Sequence, residues 1–219
     1  MCRTMTPSTV WYVAFGSNTH ADRFAAYLVG GRPPGAARHY AGCRDRNPPA
    51  AVSAVTVEHH RYFAGSSTVW GGGIAYLDTR PAPGTRTRCV AYRITLEQLV
   101  DVAAQENGGE AGGLPLPRHL PDPGELAVLL GAARSYDSLL GLPPIDAVPA
   151  VTITAATRLT PETRPSRAYL RMITAGITAH HPVAPVEVLR ELSGRWAAPA
   201  PPLGVEHRGR TGHRDGPGR

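Results

Sequence analysis

The sequence contains no lysine, so all 23 basic residues are arginine, and Schiff-base chemistry and a lysine general base are both excluded. Cysteine is scarce. Cys2, Cys43 and Cys89 are odd in number and far apart, giving neither a disulfide framework nor a C-x-x-C metal site, the pattern expected of a reducing cytoplasm. Aromatic residues make up only 6% and charged residues 18%. No apolar run approaches the roughly 20 residues of a membrane span, and the Val10–Phe15 run is too short for a secretory signal. A net charge of +6 is not a nucleic-acid footprint by itself. Half of it falls after residue 194, and residues 1–194 hold no basic run with interleaved aromatics of the kind that binds single strands.

What is present fits one globular α+β domain over 1–194, followed by an Arg-, Gly- and Pro-rich tail at 195–219 too poor in apolar residues to fold. Its 24 glycines and 22 prolines punctuate short elements. Thr9–Phe15 (TVWYVAF) is a continuous apolar, β-branched run and reads as a buried strand. Further strands are expected over 51–57, 61–64, 73–78, 88–94 and 150–156, at spacings that favour antiparallel pairing. Helices are expected over about 21–29, with Thr19 and Asp22 spaced as a capping box, and from Leu96 to Glu106, opened by Thr95-x-x-Gln98. Two more are expected at 166–180 and 186–193. The Pro- and Leu-rich stretch 107–149 reads as a helical or irregular insertion, with one helix starting at Asp122-Pro123.

Two features can carry chemistry. Gly16-Ser17-Asn18 follows a buried strand and precedes a helix, so its backbone N–H groups can hold a carboxylate, a phosphate or an oxyanion, or the loop is a tight turn and no more. Glu106 shares the apolar stripe of its helix with Leu99, Val102 and Ala103, while Glu97, Asp101 and Gln105 form the polar face. An acid on the core side is costly unless paired or useful, and partial burial suits a carboxylate to general-base work. The alternative is a frayed helix end reaching solvent. Ser17 lacks a nucleophile-elbow sequence and triad partners. His59-His60 and His180-His181 lack metal-ligand spacing, so surface histidines are expected. Trp70 reads as core.

In order along the chain stand an F-G-S-N loop (Phe15–Asn18), W-x-G-G-I-A (here Trp70–Ala75), Q-E-x-G (Gln105, Glu106, Gly108) and P-S-x-x-Y (Pro165, Ser166, Tyr169). In this order the motifs resemble the γ-glutamylcyclotransferase-like family, over roughly 10–106 and 150–193. The resemblance implies a small mixed β-barrel flanked by helices, with a cavity at its mouth. It implies Glu106 as the general base and Phe15, Gly16, Ser17, Asn18 and Tyr169 as substrate-binding residues. Phe15 stands where the family has tyrosine. The implied reaction is ring closure of a γ-glutamyl amide to 5-oxoproline with release of an amine or amino acid. It needs no metal or organic cofactor; the expected partner is a small molecule, with no nucleic acid or membrane and an oligomeric state left open. A binding or interaction module without turnover is the alternative.

Overall fold

The computed structural model describes residues 8–33, 39–129 and 135–194, so the expected tail at 195–219 lies outside the described residues. The strands among the described residues are β1 (Thr9–Ala14), β2 (Ala51–Val57), β3 (His59–Ala64), β4 (Ile74–Pro81), β5 (Thr87–Thr95), β6 (Leu126–Val128), β7 (Ser138–Ile145) and β8 (Val148–Thr154). The α-helices among the described residues are α1 (Ala21–Val29), α2 (Leu96–Glu106), α3 (Arg167–His180) and α4 (Pro185–Ser193). Six strands form one mixed sheet in the order β2-β5-β1-β8-β7-β6, and β3 and β4 pair as a separate hairpin. The architecture is α+β as expected. The expected barrel is not formed, because β2 and β6 remain at opposite edges of an open sheet.

Strand β1 explains the arrangement. It pairs antiparallel with β5 and parallel with β8, which places it inside the sheet with both faces covered. Val10, Tyr12 and Ala14 pack with Phe24, Tyr27 and Leu28 of α1 and Leu99 and Val102 of α2. Trp11, Val13 and Phe15 turn to the other face and meet Tyr169, Ile173 and Ile177 of α3 and Val188 and Leu192 of α4. A strand buried on both sides has no polar alternation, hence the uninterrupted apolar run.

The β3–β4 hairpin reaches the second face through Phe63, Ala75 and Leu77. The Thr154 hydroxyl ties it to β8, accepting from Leu77 N at 3.2 Å and donating to Leu77 O at 2.7 Å. The adjacent histidines of β3 diverge. His59 is buried, its Nδ1 2.8 Å from Asp78 O, rather than on the surface as expected; His60 is exposed.

The segment 107–149 departs from expectation. Its helix at Asp122-Pro123 is not formed, and the segment supplies β6 and β7, the latter paired along β8. Thr95 and Gln98 form the expected reciprocal capping box. Thr19 and Asp22 do not. The N-cap of α1 is His20, and the Thr19 hydroxyl instead donates to Gly16 O at 2.8 Å.

Burial pushes the thiols of Cys43 and Cys89 up to about 12 and about 11, and both are free. Since the thiolate is the reactive form, neither should react with a disulfide reagent at pH 8 while the protein is folded. Titration of a Cys2→Ser variant before and after denaturation checks this; prompt release of two equivalents under native conditions would contradict it.

Candidate active site

The loop after β1 is built by close approach. Gly16 leads into a short 3₁₀ turn over Ser17–Thr19 that runs into α1. A Cβ on Gly16 would stand 3.0 Å from the Tyr169 hydroxyl, so this position brings backbone against that ring. The Tyr169 hydroxyl accepts from Ala75 N at 3.3 Å. Its N-terminal turn is capped by Ser166, whose Oγ accepts from Tyr169 N at 3.1 Å, so P-S-x-x-Y is a helix cap that places a tyrosine.

Glu106 is the last residue of α2 and is half-buried. Its neighbours fix the helix end. The Gln105 amide donates to Tyr27 O at 3.0 Å and accepts from Gly42 N at 3.3 Å. Asn107 donates to Tyr136 O at 2.8 Å and accepts from Tyr136 N at 3.2 Å. Between these anchors the Glu106 carboxylate accepts from Asn18 Nδ2 at 2.6 Å. The same Asn18 amide donates to the Tyr12 hydroxyl at 3.2 Å, and its Oδ1 is buried without a hydrogen-bond partner among the described residues.

All six residues singled out from the sequence (Phe15, Gly16, Ser17, Asn18, Glu106 and Tyr169) line one cavity of about 170 Å³. They come from three places in the chain, and β1, α2 and α3 carry them to a common wall. Trp70 also lines it, its ring stacked on Tyr169 at 5.7 Å, rather than lying in the core as expected.

Among the further lining residues that the sequence did not point to are Tyr12, Arg23, Tyr27 and Tyr136. Arg23 has a signal of the kind that marks Glu106, a charged side chain one helical turn from Tyr27 on the apolar face of α1. Tyr136, whose hydroxyl donates to Ala75 O at 2.9 Å, lies in the segment read as an insertion and had none. Burial, with the Glu106 carboxylate adding to it, pushes the tyrosine hydroxyls upward: Tyr169 to about 12, and Tyr12 and Tyr136 well above the usual phenol range. All remain neutral near pH 7. Among the described residues the cavity therefore offers one carboxylate, one buried guanidinium and a wall of neutral phenols and amides.

No protein-family model matches the chain. Over 101 residues, 45% of this chain, it is 41% identical to histone deacetylase 5 of Arabidopsis thaliana, and it covers 15% of that protein's length. In structure it is similar to a gamma-glutamyl cyclotransferase at 15% identity and a TM-score of 0.49, covering 84% of this chain and 86% of that one. It is also similar to an uncharacterized protein of Homo sapiens at 17% identity and a TM-score of 0.49, over 90% and 93% of the two chains. At such values the chemistry rests on the side chains of the cavity. Among the described residues, no helix is long and apolar enough to cross a membrane, and no three His, Cys, Asp or Glu side chains gather as a metal site.

Proposed function

We propose that the protein is a γ-glutamyl cyclotransferase, acting on a small γ-glutamyl amide within this cavity. The observation that carries the reading is the 2.6 Å contact between Asn18 of the loop and the Glu106 carboxylate, a base and a polar loop lining one cavity.

The substrate supplies its own nucleophile. Its α-amine, protonated near neutral pH, first gives a proton to ionised Glu106. The freed nitrogen lone pair attacks the γ-carbonyl carbon, closing a five-membered ring. The tetrahedral oxyanion collapses, the amide C–N bond breaks, and Glu106 returns a proton to the leaving amine. The second proton lost by the attacking nitrogen as the ring lactam forms ends on the departing amine, so the products are 5-oxoproline and the amine as its ammonium ion, with atoms and charge balanced and no water consumed. Intramolecular closure in a held geometry reaches effective molarities of about 10⁵ M or more. The Gly16–Asn18 backbone is suited to the oxyanion, where one positioned donor is worth about 3–4 kcal/mol. The unpartnered Asn18 Oδ1 is suited to receive an ammonium N–H. Phe15 contributes apolar wall only, lacking the hydroxyl of the family tyrosine. The free thiols of Cys43 and Cys89 favour a cytoplasmic setting.

Incubation with a panel of γ-glutamyl amides should yield 5-oxoproline; free glutamate would mean hydrolysis, and ligand-dependent thermal protection without turnover would mean a binding module. Within this reading Asn18→Ala removes a hydrogen bond to a charged group, worth about 1.5–3 kcal/mol. The rate should fall about 10- to 100-fold, with the melting temperature followed alongside; an unchanged rate would remove Asn18 from the mechanism.

A further inference from the structure

Among the described residues that line the cavity, the buried guanidinium is the one charged group that the proposed reaction does not use. Arg23 is 4% exposed and lines the same cavity as Glu106. Its Nη2 donates to the Tyr40 hydroxyl at 2.5 Å, but Nε and Nη1 are buried without a hydrogen-bond partner among the described residues. The guanidinium carbon stands 4.8 Å from the Tyr40 ring centre and 5.5 Å from those of Tyr27 and Trp70.

Those rings hold the charge in place and partly compensate its burial. They leave Nε and Nη1 without a hydrogen-bond acceptor among the described residues. Arginine stays protonated in proteins, so water removal leaves in-plane donors unmet, a costly arrangement for a structural residue. It becomes favourable when an anion fills the space: carboxylates match the planar donor fork of arginine.

We propose that Arg23 is the carboxylate-recognition residue of this cavity, binding a carboxylate of the γ-glutamyl substrate along the edge of its guanidinium. The identity of that substrate rests on the cyclotransferase reading; the anion site itself does not. Two carboxylates have this chemistry, the α-carboxylate of the glutamyl part and that of a leaving amino acid. On either source, Arg23 orients the chain while Glu106 handles the proton, and plain amides without the recognised group are poor ligands.

Three compounds separate the sources: γ-glutamyl-alanine, γ-glutamyl-ethylamide, which lacks the leaving-group carboxylate, and 4-aminobutanoyl-alanine, which lacks the α-carboxylate. With γ-glutamyl-alanine, Arg23→Gln should raise KM roughly tenfold or more with a smaller change in kcat. Arg23→Lys keeps the charge without the fork and should recover part of that loss. The compound without the recognised carboxylate should be poor for the wild type already and indifferent to the substitution, which identifies the source. Equal KM values in all three proteins, or the same loss with all three compounds, would overturn the assignment.

Calorimetry keeps the test separate from turnover. Wild type should bind γ-glutamyl-alanine roughly tenfold or more tightly than its derivative with both carboxylates amidated, and Arg23→Gln should erase that preference. This result stands even where no compound is turned over, in which case only the cyclotransferase reading fails. No preference for the free carboxylates in the wild type would overturn the proposal for Arg23.

Discussion

Replacing Glu106 with glutamine is expected to lower the rate of 5-oxoproline formation by about 10²- to 10⁴-fold, the span of a positioned general acid–base, with little change in melting temperature. The substitution keeps the shape and length of the side chain. The Asn18 amide donates to Oε1 at 2.6 Å, and a glutamine carbonyl can accept the same bond. What is lost is the capacity to take a proton from the substrate ammonium. Because the proton must move before the ring closes, the variant should bind substrate nearly as well and fail in kcat. Glu106→Asp keeps a carboxylate but withdraws it by one methylene, so it should retain more activity than glutamine and less than the wild type. Assay of 5-oxoproline with all three proteins decides the matter. Full activity in Glu106→Gln would mean that another group moves the proton.

The reason Glu106 could be found at all is periodicity. On α2 it falls on the apolar stripe of Leu99, Val102 and Ala103, all fully buried, and an acid there invites explanation. The same periodicity misplaced the other face. Asp101 and Gln105, read as part of the polar face, are buried. Asp101 receives Arg44 N at 2.9 Å and Gly112 N at 2.7 Å, and Gln105 takes the backbone of Tyr27 and Gly42. A stripe of hydrogen-bonding side chains reads identically whether it meets water or the polar backbone of a loop, and only the fold decides between them.

Strand β7 was illegible for a different reason. Ser138–Ile145 (SLLGLPPI) contains a glycine and two prolines, residues that argue against an interior strand. Its register with β8 shifts between Leu142 and Ile145, so both prolines stand where the ladder is already irregular. A Cβ at Gly141 would fall 2.1 Å from Asp122 O, which explains the glycine as a close approach to the chain leading into β6. These are long-range facts with no local trace. With β7 and β6 extending the sheet beyond β8, the expectation of a closed barrel could not survive. By contrast α1, α2 and β2 run over the expected residues, since each is bounded by local signals: a cap, a glycine stop or a turn cluster.

A single methyl group at Gly176 should damage both stability and activity, and in a way that tests how the loop is held. Gly176 is buried within α3. A Cβ there would lie 2.4 Å from His20 N and from Thr19 C, and 2.5 Å from Thr19 Oγ1. Two of these three atoms are backbone, so no side-chain rotation relieves the overlap; helix or loop has to move. Overpacking of this kind costs about 1–3 kcal/mol, occasionally more, which for a domain of this size lowers the melting temperature by roughly 2–4 °C per kcal/mol. The displaced residues are those of the 3₁₀ turn, whose Thr19 hydroxyl holds Gly16 O at 2.8 Å and which carries Asn18 to Glu106. A shift of about 1 Å at a positioning element can cost about 10²-fold in rate. Gly176→Ala should therefore lose kcat beyond what its lower stability explains, when assayed well below its melting temperature. Ala175→Gly, on the exposed side of the same helix, should lose only the stability expected from helix propensity, about 1 kcal/mol. If Gly176→Ala melts earlier but keeps the wild-type rate, the loop is held in place from the strand and α1 sides alone. An unchanged melting temperature as well would mean that α3 does not approach the turn this closely in solution.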